Sequence, residues 1–156
     1  MNTATHKLSI LMTLMLAFVS RATFAQSASS YKPLTSADAQ YLQHTGYAVY
    51  NTDTHGAHSV TADYQVVAVS GSTTWSFTAS GYNSGGTFTC TAYAILLSGS
   101  FPTTTGTPQS NVSTGGFQIS GFSVTVPSAG TYAVSTVCSL PASVGTRNAT
   151  LFGVSP

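Results

Sequence analysis

From Gly46 onward the chain repeats with a period of two, and that alternation limits what it can become. A strand turns successive side chains to opposite faces, so alternating apolar and polar residues mark a half-buried strand. Residues 74–80 set Trp75, Phe77 and Ala79 against Thr74, Ser76 and Thr78. Residues 87–97 place Phe88, Cys90, Ala92, Ala94 and Leu96 on one side. Residues 117–126 set Phe122, Val124 and Val126 against Ser123 and Thr125, and residues 131–140 align Tyr132, Val134, Cys138 and Leu140. Segments 47–51, 62–70 and 146–154 complete about seven strands. In 62–70, Tyr64, Val66 and Ala68 share one side, while Val67 and Val69 make the other side apolar as well. Gly, Pro, Ser and Asn clusters separate the segments. This spacing predicts an all-β protein, an antiparallel β-sandwich with one face of each sheet buried.

The residues ahead of the sandwich are of two kinds. Residues 26–45 are polar and read as a linker or N-terminal arm, with Ser36 capping a short helix over 37–43. Asp38 then falls in its first turn, where the helix dipole favours an anion. Residues 1–25 read as a secretory signal peptide: His6 and Lys7 lead an apolar run over 8–19, and Thr23-Phe24-Ala25 offers a cut after Ala25. That run is shorter than the roughly 20 residues that span a bilayer. No second apolar run follows, so no integral membrane segment is expected after cleavage. The expected organisation is a signal peptide (1–25), an arm (26–45) and one sandwich domain (46–156), secreted to the periplasm or outside the cell.

Cleavage removes Lys7 and Arg21. It leaves Lys32 and Arg147 against Asp38, Asp53 and Asp63, so the net charge passes from +1 to −1. A chain without a basic footprint does not hold nucleic acid or anionic lipid. Low charge also weakens the repulsion that keeps proteins monomeric, which admits self-association.

Cys90 and Cys138 are the two cysteines. In an exported chain an even count predicts a disulfide, and two cysteines allow one intramolecular pairing. Both fall on the inward sets of their strands. The spacing departs from a true immunoglobulin domain, where the buried Trp lies between the cysteines and a Tyr sits two residues before the second. Here Trp75 precedes both cysteines. The architecture expected is immunoglobulin-like without that pattern.

Residues 121–141, GFSVTVPSAGTYAVSTVCSLP, read as a hairpin around Pro-Ser-Ala-Gly. Together with FTCTAYA upstream, the pattern Val126-Pro127, Gly130-x-Tyr132 and Cys138-x-Leu140-Pro141 resembles small secreted bacterial two-cysteine β-sandwich proteins of unknown function. The resemblance covers the last half of the chain. It implies a secreted sandwich and carries no catalytic residues.

Chemistry is sparse. The chain has no Glu and three Asp, whereas a glycosidase needs two carboxylates flanking the scissile bond. The G-x-S-x-G elbow of serine hydrolases is absent. The one cluster with ligand chemistry is NTDTHGAHSV, residues 51–60, between the first two expected strands. Asp53, His55 and His58 suit Zn or Cu if Gly56 turns the chain, but a structural zinc site takes four ligands. His44 would be the fourth only if the arm folds back. Asn51, Asp53 and Gly56 are also ordinary turn residues, and an Asx-type turn is the favoured reading. Among aromatics, Trp75 shares its side with Phe77 and reads as core. Tyr82, in the turn GYNSGG, and Tyr93, opposite the Cys90 side, are the surface rings that could stack on a glycan. The expectation is a protein that is not an enzyme and carries no cofactor. Its role is binding or structural, toward a surface glycan or protein; metal binding through Asp53, His55 and His58 is the alternative.

Overall fold

A computed structural model describes residues 26–27, 30–100 and 102–156, and the signal-peptide segment 1–25 lies outside the described residues. The strands are Gln26–Ser27 (β1), Lys32–Pro33 (β2), Leu42–His44 (β3), Val49–Asn51 (β4), His58–Val69 (β5), Thr73–Asn83 (β6), Phe88–Leu96 (β7), Thr103–Thr105 (β8), Gln109–Asn111 (β9), Gly115–Val126 (β10), Gly130–Leu140 (β11) and Thr150–Ser155 (β12). They form two antiparallel sheets. The first runs β10-β6-β12-β4-β3, with β1 also pairing β12; the second runs β2-β5-β11-β7-β8, with β9 also pairing β7. The sheets face each other over a shared core that includes Phe77, Phe88, Phe122, Leu140 and Leu151. Trp75 packs against this core, its ring 6.2 Å from that of Tyr132. The chain is an all-β sandwich, as the alternation predicts.

The arm belongs to the sandwich and is not a separate linker. β2 pairs the start of β5, and β3 forms a hairpin with β4. The expected helix over 37–43 shrinks to a 3-10 turn, Asp38–Gln40, because β3 claims the chain from Leu42. Ala37 precedes that turn and no side chain caps it, so Ser36 is not a cap; the reciprocal bonds lie between Thr35 and Asp38. The Thr35 backbone N–H donates to Asp38 Oδ2 at 2.9 Å, and the Asp38 N–H returns a bond to Thr35 Oγ1 at 3.2 Å. The reciprocity has the pattern of a capping box, with Asp in the place of Glu.

Two further expectations need correction. Residues 121–141 are not a hairpin: β10 and β11 lie in different sheets, so Pro-Ser-Ala-Gly arches from one layer to the other. Tyr47 is not in a strand but at the tip of the β3–β4 hairpin, where Thr45 N–H donates to Ala48 O at 2.8 Å.

Among the described residues three bulges interrupt the pairings, and each changes which side chains face inward. In β5, Asp63 pairs Ser135 and Gln65 pairs Val134, so one residue is extra. Val60 and Ala62 are buried before it; after it Val66 is 62% exposed and Val69 packs on the core. In β10 the shift falls at Gly121, whose φ of +75° suits glycine, and the buried set passes from Ile119 to Phe122, Val124 and Val126. In β12 the shift falls at Phe152, between buried Leu151 and Val154, and leaves that ring 45% exposed.

Cys90 and Cys138 pair directly opposite each other in β7 and β11, with S–S 2.07 Å. The link therefore lies within one sheet. The immunoglobulin bridge joins two sheets, so the departure read from the position of Trp75 extends to the bridge itself.

Candidate functional site

The segment 51–60 divides between a turn and a strand: His58 is the first residue of β5, opposite Leu140. Two successive Asx turns shape the loop. Asp53 N–H donates to Asn51 Oδ1 at 2.9 Å, and His55 N–H donates to Asp53 Oδ1 at 2.8 Å. Asn51 is fully buried. Its amide nitrogen donates to Gly56 O (2.9 Å), Leu140 O (3.3 Å) and Pro141 O (2.9 Å), tying the loop to the end of β11. Ser143 adds its N–H to Asp53 O at 2.7 Å and its hydroxyl to Asn51 O.

The three expected metal ligands part company here. The His55 side chain is 92% exposed, whereas that of His58 is 11% exposed and bracketed by two carboxylates. His58 Nδ1 lies 3.1 Å from Asp38 Oδ1, and Nε2 lies 3.0 Å from Asp53 Oδ2. Both contacts are hydrogen bonds when the ring carries two protons. Tyr41 stacks on the same imidazole, centroids 4.5 Å apart. The arm does fold back, but it brings Asp38 and Tyr41; His44 pairs Val49 at the far end of β3 and is exposed. The carboxylates contact opposite ring nitrogens, so a metal at either nitrogen would displace one of them. Among the described residues no group of three or more His, Cys, Asp or Glu side chains is placed to hold a metal ion. Gly56 serves contact as well as turning: a Cβ there would stand 3.0 Å from Asp53 Oδ2 and 3.7 Å from His58 Nε2.

The carboxylates set a pH dependence. Burial opposes ionisation of Asp38, but bonds from Thr35, Ser59 and His58 outweigh it and hold the carboxyl below the usual range. The His58 contact, with the His55 N–H, does the same for Asp53. A depressed carboxyl contributes stability above the ordinary carboxylate range, because the unfolded chain takes up the proton first as pH falls. That contribution is lost as pH drops below about 4 and through the folded-state values. Urea midpoints between pH 6 and 3 should fall less steeply for Asp38→Asn than for the wild type. Parallel slopes would show that Asp38 is not a coupled group.

A second feature lies on the outer face of the first sheet. Tyr47 at the hairpin tip, Tyr50 in β4 and the bulged Phe152 in β12 line a groove of about 300 Å³ with Thr45, Ala48, Asn148 and Thr150. Tyr47 is 71% exposed. Tyr50 is fixed by its hydroxyl, which donates to Gln43 Oε1 at 2.9 Å. In register, Thr150 pairs Tyr50 on one side and Tyr82 on the other. Tyr50 and Tyr82 therefore stand two strand spacings apart, about 10 Å, with a short side chain between them. Tyr82, read from sequence as a turn residue, lies in β6 and is half-buried on this face; Tyr93 is half-buried on the outside of the other sheet, opposite Ser135. The two rings cannot share one platform. Tyr47 and Phe152 were hidden from the sequence, because Tyr47 continues an apolar run into β4 and nothing in the alternation marks the β12 bulge. No family model, curated protein or solved structure matches the chain.

Proposed function

We propose that the protein is an exported, non-catalytic binding module whose ligand surface is the aromatic groove of Tyr47, Tyr50 and Phe152. The observation that carries the reading is the groove itself: two exposed rings, Tyr47 and Phe152, gathered with the half-buried Tyr50 around one concavity on a sheet face. Exposed rings grouped around a concavity are a binding surface, whereas scattered ones are not. The groove holds hydroxyls and an amide but no carboxylate or imidazole, so it offers contacts and no acid–base pair. The signal-peptide reading of residues 1–25 and the cysteine pair at disulfide distance support export. Among the described residues no helix is long and apolar enough to cross a membrane. A role at the cell surface or beyond it follows.

The test is retention. The exported protein should cosediment with washed, insoluble cell-envelope and extracellular material, and Tyr47→Ala with Phe152→Ala should move it to the supernatant. Both rings are exposed, so the double variant keeps the fold. Equal partition of the two proteins would remove the groove as the ligand surface.

A further inference from the structure

Resting on that reading of the groove, we infer that its ligand is a neutral glycan chain, stacked on Tyr50 and Phe152 and continuing across Thr150 toward Tyr82. Three observations select this chemistry. None of the seven lining residues is charged, so the groove offers nothing to neutralise an ionic ligand. Among the described charged side chains, Lys32 lies in the other sheet, Asp38 and Asp53 are engaged around His58, and Arg147 projects from the loop before Asn148. The polar groups alternate with the rings. Thr150 Oγ1 donates to Asn148 O, which leaves its lone pairs to accept, and the Asn148 side-chain amide adds a group that both donates and accepts. Aromatic faces set among hydroxyls and an amide match a sugar ring, apolar on its C–H face and hydrogen-bonding at its rim. Finally, the groove floor is made by the side chains of β4 and β12, whose backbones already pair in the sheet. An extended peptide gains most of its affinity from an open strand edge, which this floor does not offer.

The size also fits. About 300 Å³ lies at the lower end of ligand clefts. It holds a short stretch of a chain, and the row Tyr50, Thr150, Tyr82 lets a longer chain gain a second stacking contact. Affinity should therefore rise with oligosaccharide length.

The experiment is an NMR titration of the exported protein. The probes are neutral gluco-, manno- and N-acetylglucosamine oligosaccharides of two to six units, an oligogalacturonate and a proline-rich decapeptide. A neutral oligosaccharide should shift the resonances of Tyr50, Thr150 and Phe152. Phe152→Ala or Tyr50→Ala should raise Kd about tenfold, the effect of one stacked ring, and Tyr82→Ala should weaken only the longer chains. Tyr93→Ala should change nothing. Shifts by the oligogalacturonate alone, or by the peptide alone, would overturn the glycan assignment while the groove remained a binding surface. Neutral-glycan shifts confined to the Tyr93 face would move the site. No groove shift with any probe would overturn both readings.

Discussion

Replacing Asn51 with leucine should cost the fold about 3–5 kcal/mol, although the two side chains are close in size. Its amide nitrogen serves three backbone carbonyls, and its oxygen accepts the Asp53 N–H. All four groups lose a partner together, the Leu140 and Pro141 carbonyls in a buried setting and the other two in a part-buried one. A buried polar group left unpaired costs about 1–3 kcal/mol; the loop can relax enough to wet some of them, which places the total toward the low end of the sum. For a domain of this size the melting temperature should fall by roughly 10–20 °C. Gln43→Leu, on the outer face, serves as the comparison and should change stability by less than about 0.5 kcal/mol. A loss below about 1 kcal/mol for Asn51→Leu would mean that water replaces the amide without penalty.

Removing the cross-link should be as damaging. Cys90 and Cys138 are separated by 48 residues and are fully buried. Closing a loop of that length stabilises by about 4 kcal/mol in the chain-entropy model. Cys90→Ala with Cys138→Ala should therefore lower the melting temperature by about 10–20 °C while leaving the strand register intact, because eight residue pairs align β7 with β11 independently of the sulfurs. Equal melting of the double variant and the wild type would show that the unfolded chain gains little freedom from the cut.

The sequence carried much of the fold and little of the site, for one physical reason. Period-two patterning reports local geometry, and the long strands β6, β7, β10 and β11 are regular enough over most of their length to display it. It fails at a bulge. Val67 and Val69 compete with Val66 for the inside because the extra residue in β5 exchanges the faces midway. Phe152 looks like one more residue of a closing strand, yet the same kind of shift puts it in solvent. The short strands β2, β3, β8 and β9 have two or three residues each, too few for any period. Pairings between distant residues leave no local trace either. Asp38 was legible as an acid in the first turn, which it is, but its contact with His58, twenty residues on, leaves no trace in the sequence. Asn51 reads as a turn former and is one; its three-carbonyl bond set requires the end of β11 to arrive beside it.

The place of β12 has a consequence in time. Thr150–Ser155 lies inside the first sheet, with β6 on one flank and β4 and β1 on the other. β10 and β6 can pair as soon as both exist, and so can β3 and β4, but the two halves have no seam until residues 150–155 arrive between them. Such a sheet is a late closure, dominated by partners far apart along the chain and hence slow to form. The export proposed above would gain from that order: a chain threaded unfolded through a channel keeps its first sheet open until residues 150–155 join β6 to β4, and the same step brings Phe152 beside Tyr47 and Tyr50.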